Sequence, residues 1–133
     1  MPHTRPEELP PGGGGRWPRS AQGFRSERWG DMEVGFTRSA GARDCTELYR
    51  AGGMPGGVCP CPHYGYIFSG TIRATYPGTG NPDETATAGE AYFFPAGHVL
   101  IYEEATEALE INPAFALGQC MDAIERAAAR GAK

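Results

Sequence analysis

Two cysteines and a histidine occupy every second position in the stretch VCPCPHYGY, as Cys59, Cys61 and His63. If this segment is a β-strand, successive side chains alternate between its faces, so all three point to one side at steps of about 6.5 Å. Thiolate and imidazole are the preferred ligands of Zn²⁺, and both also suit Fe²⁺. The stretch therefore predicts ligands for a transition metal.

A further ligand is expected from the segment PAGHVLI, in which His98 follows a Pro-x-Gly turn. His3 lies in the N-terminal leader, so His63 and His98 are the histidine pair that the predicted folded domain offers. A histidine just after such a turn stands at the start of a strand, with its ring near the mouth of the barrel. The predicted ligands of one divalent ion, Zn²⁺ or Fe²⁺, are accordingly Cys59, Cys61, His63 and His98.

Two other interpretations of these residues stay open. Buried cysteines also pack as small apolar residues, and a buried histidine can simply hydrogen-bond a backbone carbonyl. A Cys-x-Cys redox pair would require a tight, strained ring, and no helix N-terminus is present to lower a thiol pKa. If a metal is bound, four protein ligands would make a closed structural site, whereas three would leave a position for catalysis. An internal site reachable from the mouth of a barrel favours the open arrangement.

The segments that must position these residues read as short strands separated by glycine and proline turns. DMEVGFTRS alternates Met32, Val34 and Phe36 with polar or small residues, which predicts a strand with these three side chains buried. About four more strands follow between Tyr64 and Pro113. Such spacing without intervening helices predicts an all-β antiparallel sandwich or barrel.

A helix over about residues 113–130 ends the chain. The segment AFALGQCMDAIERAAARG places apolar residues at helical intervals, and we expect them to cover an apolar sheet surface or a dimer contact: Phe115, Leu117, Met121 and Ile124. The 133 residues suit one domain, at 26–133. Residues 1–25 are rich in proline and glycine and poor in aliphatic side chains, so we predict a disordered leader.

Composition excludes several kinds of partner. The net charge is -4 with a pI near 5.3, and no basic surface interleaved with aromatics is visible, which argues against nucleic acid. No apolar run approaches the roughly 20 residues of a membrane span, and no secretory signal is visible. We therefore expect a cytoplasmic protein, in which Cys45, Cys59, Cys61 and Cys120 are thiols or metal ligands rather than a disulfide framework.

Other candidate residues have an ordinary structural interpretation. The aromatic side chains are expected mainly in a β core, although they suit a pocket wall as well: Tyr64, Tyr66, Tyr92, Phe93, Phe94 and Tyr102. Glu103 and Glu104 are expected on a solvated strand face, with a role as general base as the alternative. Cys45 and Cys120 are expected to be core or surface thiols.

HYGYIFSG and AGEAYFFPAGHVLIYEE together resemble the cupin superfamily of small β-barrels, whose first motif is G(X)5HXH(X)3,4E(X)6G. Counted back from Gly70, His63 takes the place of the family's glutamate ligand. Cys59 takes the place of the second histidine and Gly57 that of the first. CPCPHYGY is similar, more closely, to small bacterial cupins with a CxCPHxGY signature.

The second cupin motif, G(X)5PXG(X)2H(X)3N, is matched at its glycine, proline and glycine by Gly89, Pro95 and Gly97. Leu100 stands at the histidine position, and His98 lies two residues earlier, on the same face of a strand. The resemblance implies a cupin-like antiparallel β-barrel of the double-stranded β-helix type with a metal inside it.

The same resemblance implies metal-dependent chemistry on a small molecule inside the barrel, by an enzyme such as an oxygenase, lyase or isomerase, and a homodimer. The alternatives are a non-catalytic small-molecule or metal-binding module, and a scaffold with a structural zinc site.

Overall fold

The computed structural model describes residues 2–12 and 24–131, and these form a two-sheet β-structure with a C-terminal helix. The strands are β1 (Phe24–Trp29), β2 (Met32–Ser39), β3 (Arg43–Asp44), β4 (His63–Ser69), β5 (Thr71–Thr75), β6 (Glu84–Thr87), β7 (Ala91–Phe94), β8 (Val99–Tyr102) and β9 (Thr106–Pro113). The helices are α1 (Thr46–Ala51) and α2 (Ala114–Ala129), with short 3-10 turns at Pro6–Glu8 and Pro55–Gly57. No helix within these described ranges is long and apolar enough to cross a membrane.

Five strands form one sheet in the order β1-β2-β9-β4-β7, and four form the other in the order β3-β8-β5-β6. Neighbouring strands in both sheets run antiparallel. Strand β9 alternates buried and half-buried residues along its whole length, as a strand with one face on the core requires. The predicted antiparallel β-barrel with a C-terminal helix is therefore confirmed.

For strand β2 the predicted burial is correct for Phe36, which is 5% exposed, but wrong for Met32 and Val34, which are half-buried. Glu33 is fully buried, whereas Val34 is only half-buried and lies in register with Ile111 on the outer side of the sheet. The inner residue Glu33 accepts a hydrogen bond from the Ser26 hydroxyl at 2.6 Å. Because this pairing satisfies a buried carboxylate, the inner face can be polar, and Val34 lies on the outer face.

Residues 2–12 of the predicted leader lie against strand β1. Leu9 is 1% exposed, and its carbonyl accepts a hydrogen bond from Arg25 Nε at 2.7 Å. The backbone N–H of Ser26 donates to the Pro10 carbonyl at 2.9 Å. One buried aliphatic side chain and these hydrogen bonds attach the segment to β1. Residues 13–23 of the predicted leader lie outside the described residues.

Helix α2 begins at Ala114 and ends at Ala129, as predicted, but Phe115 does not face the core. Leu117 is 1% exposed and Met121 6%, whereas Phe115 is 82% exposed. Phe115 precedes Leu117 by two residues, or about 200° around the helix axis, and therefore points to the opposite side. The buried face packs on α1, where a side chain at Gly52 would clash with the backbone of Ala123.

Candidate metal centre

Backbone pairing holds Cys59 beside the turn that carries His98. The N–H of Cys59 donates to the His98 carbonyl at 2.8 Å, and the N–H of Gly97 donates to the Cys59 carbonyl at 2.8 Å. Gly97 has a φ of 96°, a backbone conformation that side-chain-bearing residues rarely adopt. The two halves of the site, distant in sequence, are thus joined by an isolated β-bridge.

The predicted continuous strand from Cys59 to His63 is not formed. Strand β4 begins only at His63, and the preceding residues form a bend. Pro60 and Pro62 lack the N–H groups that a β-ladder requires, so pairing resumes only after them. Cys59 and His63 therefore converge without the ladder pairing that their spacing suggested, and Cys61 between them is not among the converging ligands.

Three of the four predicted ligands converge: Cys59, His63 and His98. The thiol sulfur and one nitrogen of each imidazole lie within 4.8 Å of one another. Cys59 Sγ is 3.7 Å from His63 Nε2, and the two imidazole centroids are 4.7 Å apart. The exposed fractions are 0% for Cys59 and His98 and 3% for His63, so the cluster is fully internal.

Each imidazole is oriented through its second nitrogen. His98 Nδ1 lies 2.6 Å from the Pro95 carbonyl, which only accepts hydrogen bonds, so Nδ1 carries the proton and Nε2 a lone pair. His63 Nδ1 lies 3.0 Å from Asn112 Oδ1 and 3.1 Å from Glu110 Oε1. This leaves both Nε2 atoms directed towards the cluster, as in histidines that ligate a metal.

His98 Nε2 is buried and has no hydrogen-bond partner in the described part of the chain. A buried imidazole that only packs in a core would be expected to use its acceptor, since an unsatisfied buried polar atom costs about 1–3 kcal/mol. The unused lone pair favours a ligand role over the packing interpretation of this histidine.

A buried network of polar side chains supports His63 from β9 and β7. Glu110 accepts a hydrogen bond from Asn112 Nδ2 at 2.6 Å and lies 3.4 Å from the Tyr92 hydroxyl. Burial raises the pKa of the Glu110 carboxyl, but the adjacent His63 outweighs it and the pKa is lowered overall. Burial in turn lowers the pKa of His63, while Glu110 and Cys59 raise it to well above its ordinary value. The charges of His63 and Glu110 therefore compensate each other.

The remaining cysteines differ in their relation to the cluster. Cys61 Sγ donates to the Pro62 carbonyl at 3.3 Å and is not among the converging ligand atoms. Burial raises the pKa of the Cys61 thiol. Cys120 Sγ, in contrast, lies 3.7 Å from Cys59 Sγ. The hydrogen bond from Cys120, with the one from His63, holds the pKa of Cys59 far below its ordinary value and favours its thiolate.

Cys120, Glu110 and Asn112 are site residues that the sequence analysis missed. Cys120 reaches Cys59 only because helix α2 docks against the barrel. Its position on the Leu117 face was visible in the sequence, but the surface that this face covers was not. For Glu110 and Asn112 the available signal was two polar residues at alternate positions of EALEINP, on the face opposite Leu109 and Ile111, which is unusual for a buried strand face.

The other candidates lie away from the cluster. Glu103 pairs with Arg73 Nε at 2.6 Å and Glu104 accepts from the Thr71 hydroxyl at 2.8 Å, both on the surface, as expected for a solvated face. Phe94 is 2% exposed and belongs to the core. The predicted core role is wrong for Tyr64, Tyr66 and Phe93, which are 40–49% exposed because β4 and β7 turn these side chains to the outer face of the sheet.

An internal cavity of about 120 Å³ reaches His63 and Glu110. Its walls come from both sheets and both helices, and include Thr37, Tyr102, Leu117 and Cys120. The exposed side chains among those that line it, Arg38 and Arg43, mark its opening. A small molecule entering between these arginines would reach the cluster of Cys59, His63 and His98 at His63.

Comparisons with known proteins support the fold. No protein-family model and no curated protein matches the chain. A solved structure from Rhizobium leguminosarum, of unknown function, is 17% identical with a TM-score of 0.51, over 84% of this chain and 95% of that one. A Cupin 2 conserved barrel domain protein from Salinispora arenicola is 14% identical with a TM-score of 0.49, over 98% of both chains.

The Clostridium difficile EutQ protein is 13% identical with a TM-score of 0.46, and the match covers 68% of this chain and 60% of that one. The chain thus spans about three fifths of that protein. At these identities the similarity concerns the fold alone, and the chain has the antiparallel β-barrel expected from its sequence.

Proposed function

We propose that the protein binds one Zn²⁺ or Fe²⁺ ion through Cys59, His63 and His98 and uses it in a reaction of a small molecule inside the barrel. The observation that carries the proposal is the buried, unpartnered Nε2 of His98, directed at a thiol and a second imidazole. The remaining nitrogen of each imidazole is held by a carbonyl or carboxylate, which supports the same assignment.

Three protein ligands leave a position open for substrate, which is typical of catalytic rather than structural metal sites. When bound, such an ion supplies Lewis-acid polarisation of a substrate oxygen, or activation of O₂ if it is iron. The protein's own residues do the rest: Glu110 and Asn112 orient His63, and Leu117 and Tyr102 wall the cavity against water. An oxygenase, a lyase and an isomerase all fit this arrangement, and the four free thiols fit a cytoplasmic protein.

A second candidate function is a module with a structural zinc site. It is favoured by one observation, the 3.7 Å distance between Cys59 Sγ and Cys120 Sγ, which suits two thiolates on one ion. Recruitment of Cys120 would complete a closed set with two cysteines and two histidines. The metal would then attach helix α2 to the barrel, and the protein would bind a small molecule or a partner without catalysis.

Metal analysis tests the proposal directly. Wild-type protein purified under reducing conditions is expected to contain close to one equivalent of zinc or iron by elemental analysis, and Co²⁺ reconstitution should give a thiolate-to-cobalt charge-transfer band. Metal content below about a tenth of an equivalent, together with no such band, would contradict a thiolate-bound transition metal.

We also propose that two copies pair through the outer face of the five-stranded sheet. Val34, Ile111, Tyr64 and Phe93 lie side by side across four strands of this face. Tyr64 stacks on Phe93 with ring centroids 4.8 Å apart, and both rings are more than 40% exposed. An apolar stripe of this width on a charged protein indicates an interaction surface.

The chemistry of this face favours a second copy as the partner. Tyr64, Tyr66, Phe68 and Phe93 together present roughly 400 Å² of apolar surface at their observed exposures, about half of what each partner buries in a standard interface. Leu109 and Ile111, half-buried between them, add to this area. At the margin Arg38 and Glu107 form an ion pair, so the face has no charge to attract an anionic partner. A neutral apolar face is self-complementary under two-fold symmetry.

Replacing Phe93 with glutamate is expected to convert the dimer into a monomer, because the charge would be desolvated within the interface. Light scattering coupled to size exclusion should give about twice the 14.2 kDa chain mass for wild type and about that mass for Phe93→Glu. The matched control is Phe115→Glu, which alters an equally large exposed ring on helix α2 and should remain dimeric. A monomeric wild type at micromolar concentrations would refute this pairing.

A further inference from the structure

The side chain of Arg43 shares the inner face of its sheet with residues of the cavity. Strand β3 places Arg43 opposite Tyr102 of β8, and paired residues in an antiparallel sheet lie on the same face. Tyr102 and Arg43 both line the cavity. The next residue, Asp44, alternates to the other face, where Arg73 lowers its pKa together with hydrogen bonds from Thr46 that are the larger cause. Arg43 is therefore directed at the cavity opening.

The charge of Arg43 is not compensated within the described part of the chain. Arg38 pairs with Glu107, Arg73 with Glu103 and Asp83, and Arg50 with Glu47. Arg43 has no such carboxylate and no hydrogen bond among the described residues. Its ionisable neighbour inside the cavity is Cys45, whose pKa burial raises to about 11, so that this thiol is neutral at physiological pH. A positive charge without a counter-ion thus stands at the opening.

The rest of the cavity is suited to the body of a short molecule. Thr37, Ser39 and Tyr102 bring hydroxyl groups to its wall, and Leu48 and Leu117 bring apolar surface. The one carboxylate in the lining, Glu110, is buried, lies 3.1 Å from His63 Nδ1 and accepts a hydrogen bond from Asn112. From the opening inwards, the cavity therefore offers a guanidinium, then hydroxyl and apolar groups, then the imidazole of the metal cluster.

We infer that the cavity selects a small carboxylate, whose carboxylate group pairs with Arg43 while its other end points to His63. A single planar guanidinium matches a carboxylate through two parallel hydrogen bonds. A phosphate dianion would be expected to recruit more than one uncompensated cation or a helix N-terminus, whereas the second arginine at this opening, Arg38, is paired with Glu107. The identity of the chemistry at the inner end rests on the proposed metal function, but binding at the outer end does not.

Binding of short carboxylates tests the inference on the full-length protein. Propionate, malonate and succinate are titrated by isothermal calorimetry, with propionamide as the uncharged analogue and inorganic phosphate as the competing anion. At least one carboxylate should bind more tightly than both controls. Arg43→Ala should weaken that binding by about tenfold or more. Arg43→Lys should weaken it by less, because lysine keeps the charge but cannot donate two parallel hydrogen bonds.

The matched control is Arg50→Ala, which removes an exposed arginine of helix α1 that does not line the cavity and should leave the affinity within about twofold of wild type. The inference fails if none of the three carboxylates binds, if phosphate or propionamide binds as tightly, or if Arg43→Ala has wild-type affinity. Metal content measured on the same samples separates the two proposals. Carboxylate binding by a metal-free protein would support the anion site and contradict the metal function. Stoichiometric metal without carboxylate binding would support the metal function and contradict the anion site.

Discussion

Alanine at position 98 is expected to remove stoichiometric metal binding from the protein. The variant loses the one cluster atom that has no other partner, His98 Nε2, and leaves a thiol and a single imidazole. Removing groups that merely orient a ligand costs 10–100-fold in metal affinity, so loss of a ligand should cost more than about 100-fold. Competition with a chromophoric chelator measures this change for zinc, and elemental analysis after dialysis confirms it.

A second variant tests whether misfolding, and not the loss of a ligand, explains the loss of metal binding. His98→Ala also leaves the Pro95 carbonyl without its donor, so its melting curve has to be compared with that of wild type. Cys59→Ser changes one atom of similar size, leaves both imidazoles in place and should lose metal to a comparable degree. Cys45→Ser is the matched control, since this buried thiol lines the cavity but lies outside the cluster, and it should bind metal like wild type. Equal metal affinity in all three variants would contradict the assignment.

Two further cysteine variants distinguish the open from the closed site. Cys61 is turned to the Pro62 carbonyl, so Cys61→Ser should retain metal. Cys120→Ser should retain it if the site has three protein ligands, and should lose affinity by more than about tenfold if Cys120 completes a structural site. The second outcome would favour the zinc module over the enzyme while leaving Cys59, His63 and His98 as ligands.

The sequence was most informative where its signals are local. Glycines and prolines marked the turns, Pro95 and Gly97 placed His98 at the start of a strand, and the change of hydrophobic period at Pro113 located helix α2. Each of these signals acts within a few residues, through backbone conformation or periodicity. They sufficed for the barrel and for the two histidines of the candidate site.

Features that depend on contacts between distant segments could not be predicted. Cys59 reaches His98 through a bridge across 39 positions, not through the strand that its spacing suggested. Cys120 is brought to it by the docking of a helix. Val34 of strand β2 was assigned to the wrong face because alternation shows that two faces differ but not which one is inside, and here a polar network occupies the interior. In each case the deciding partner lies on another element.

The second large effect is expected on the free energy of unfolding, through helix α2. This helix contains two apolar residues, two positions apart, in opposite environments. Leu117 is 1% exposed and lies against the cavity wall, whereas Phe115 is 82% exposed. Truncating a fully buried leucine removes its transfer free energy and leaves a void, so Leu117→Ala should lower the free energy of unfolding by about 2–4 kcal/mol. Phe115→Ala should change it by less than about 0.5 kcal/mol, since the ring makes little contact with the core.

Urea denaturation of the three proteins, followed by circular dichroism, measures both differences under the same conditions. The two substitutions change helix propensity in the same direction, towards alanine, so propensity cannot explain a large gap between them. The enlarged cavity should also weaken the attachment of α2, which supplies Cys120 to the neighbourhood of Cys59. Equal destabilisation by both variants, or an effect of Leu117→Ala under about 0.5 kcal/mol, would show that helix α2 is not docked through Leu117. Residues other than Leu117 would then have to close the cavity beside His63.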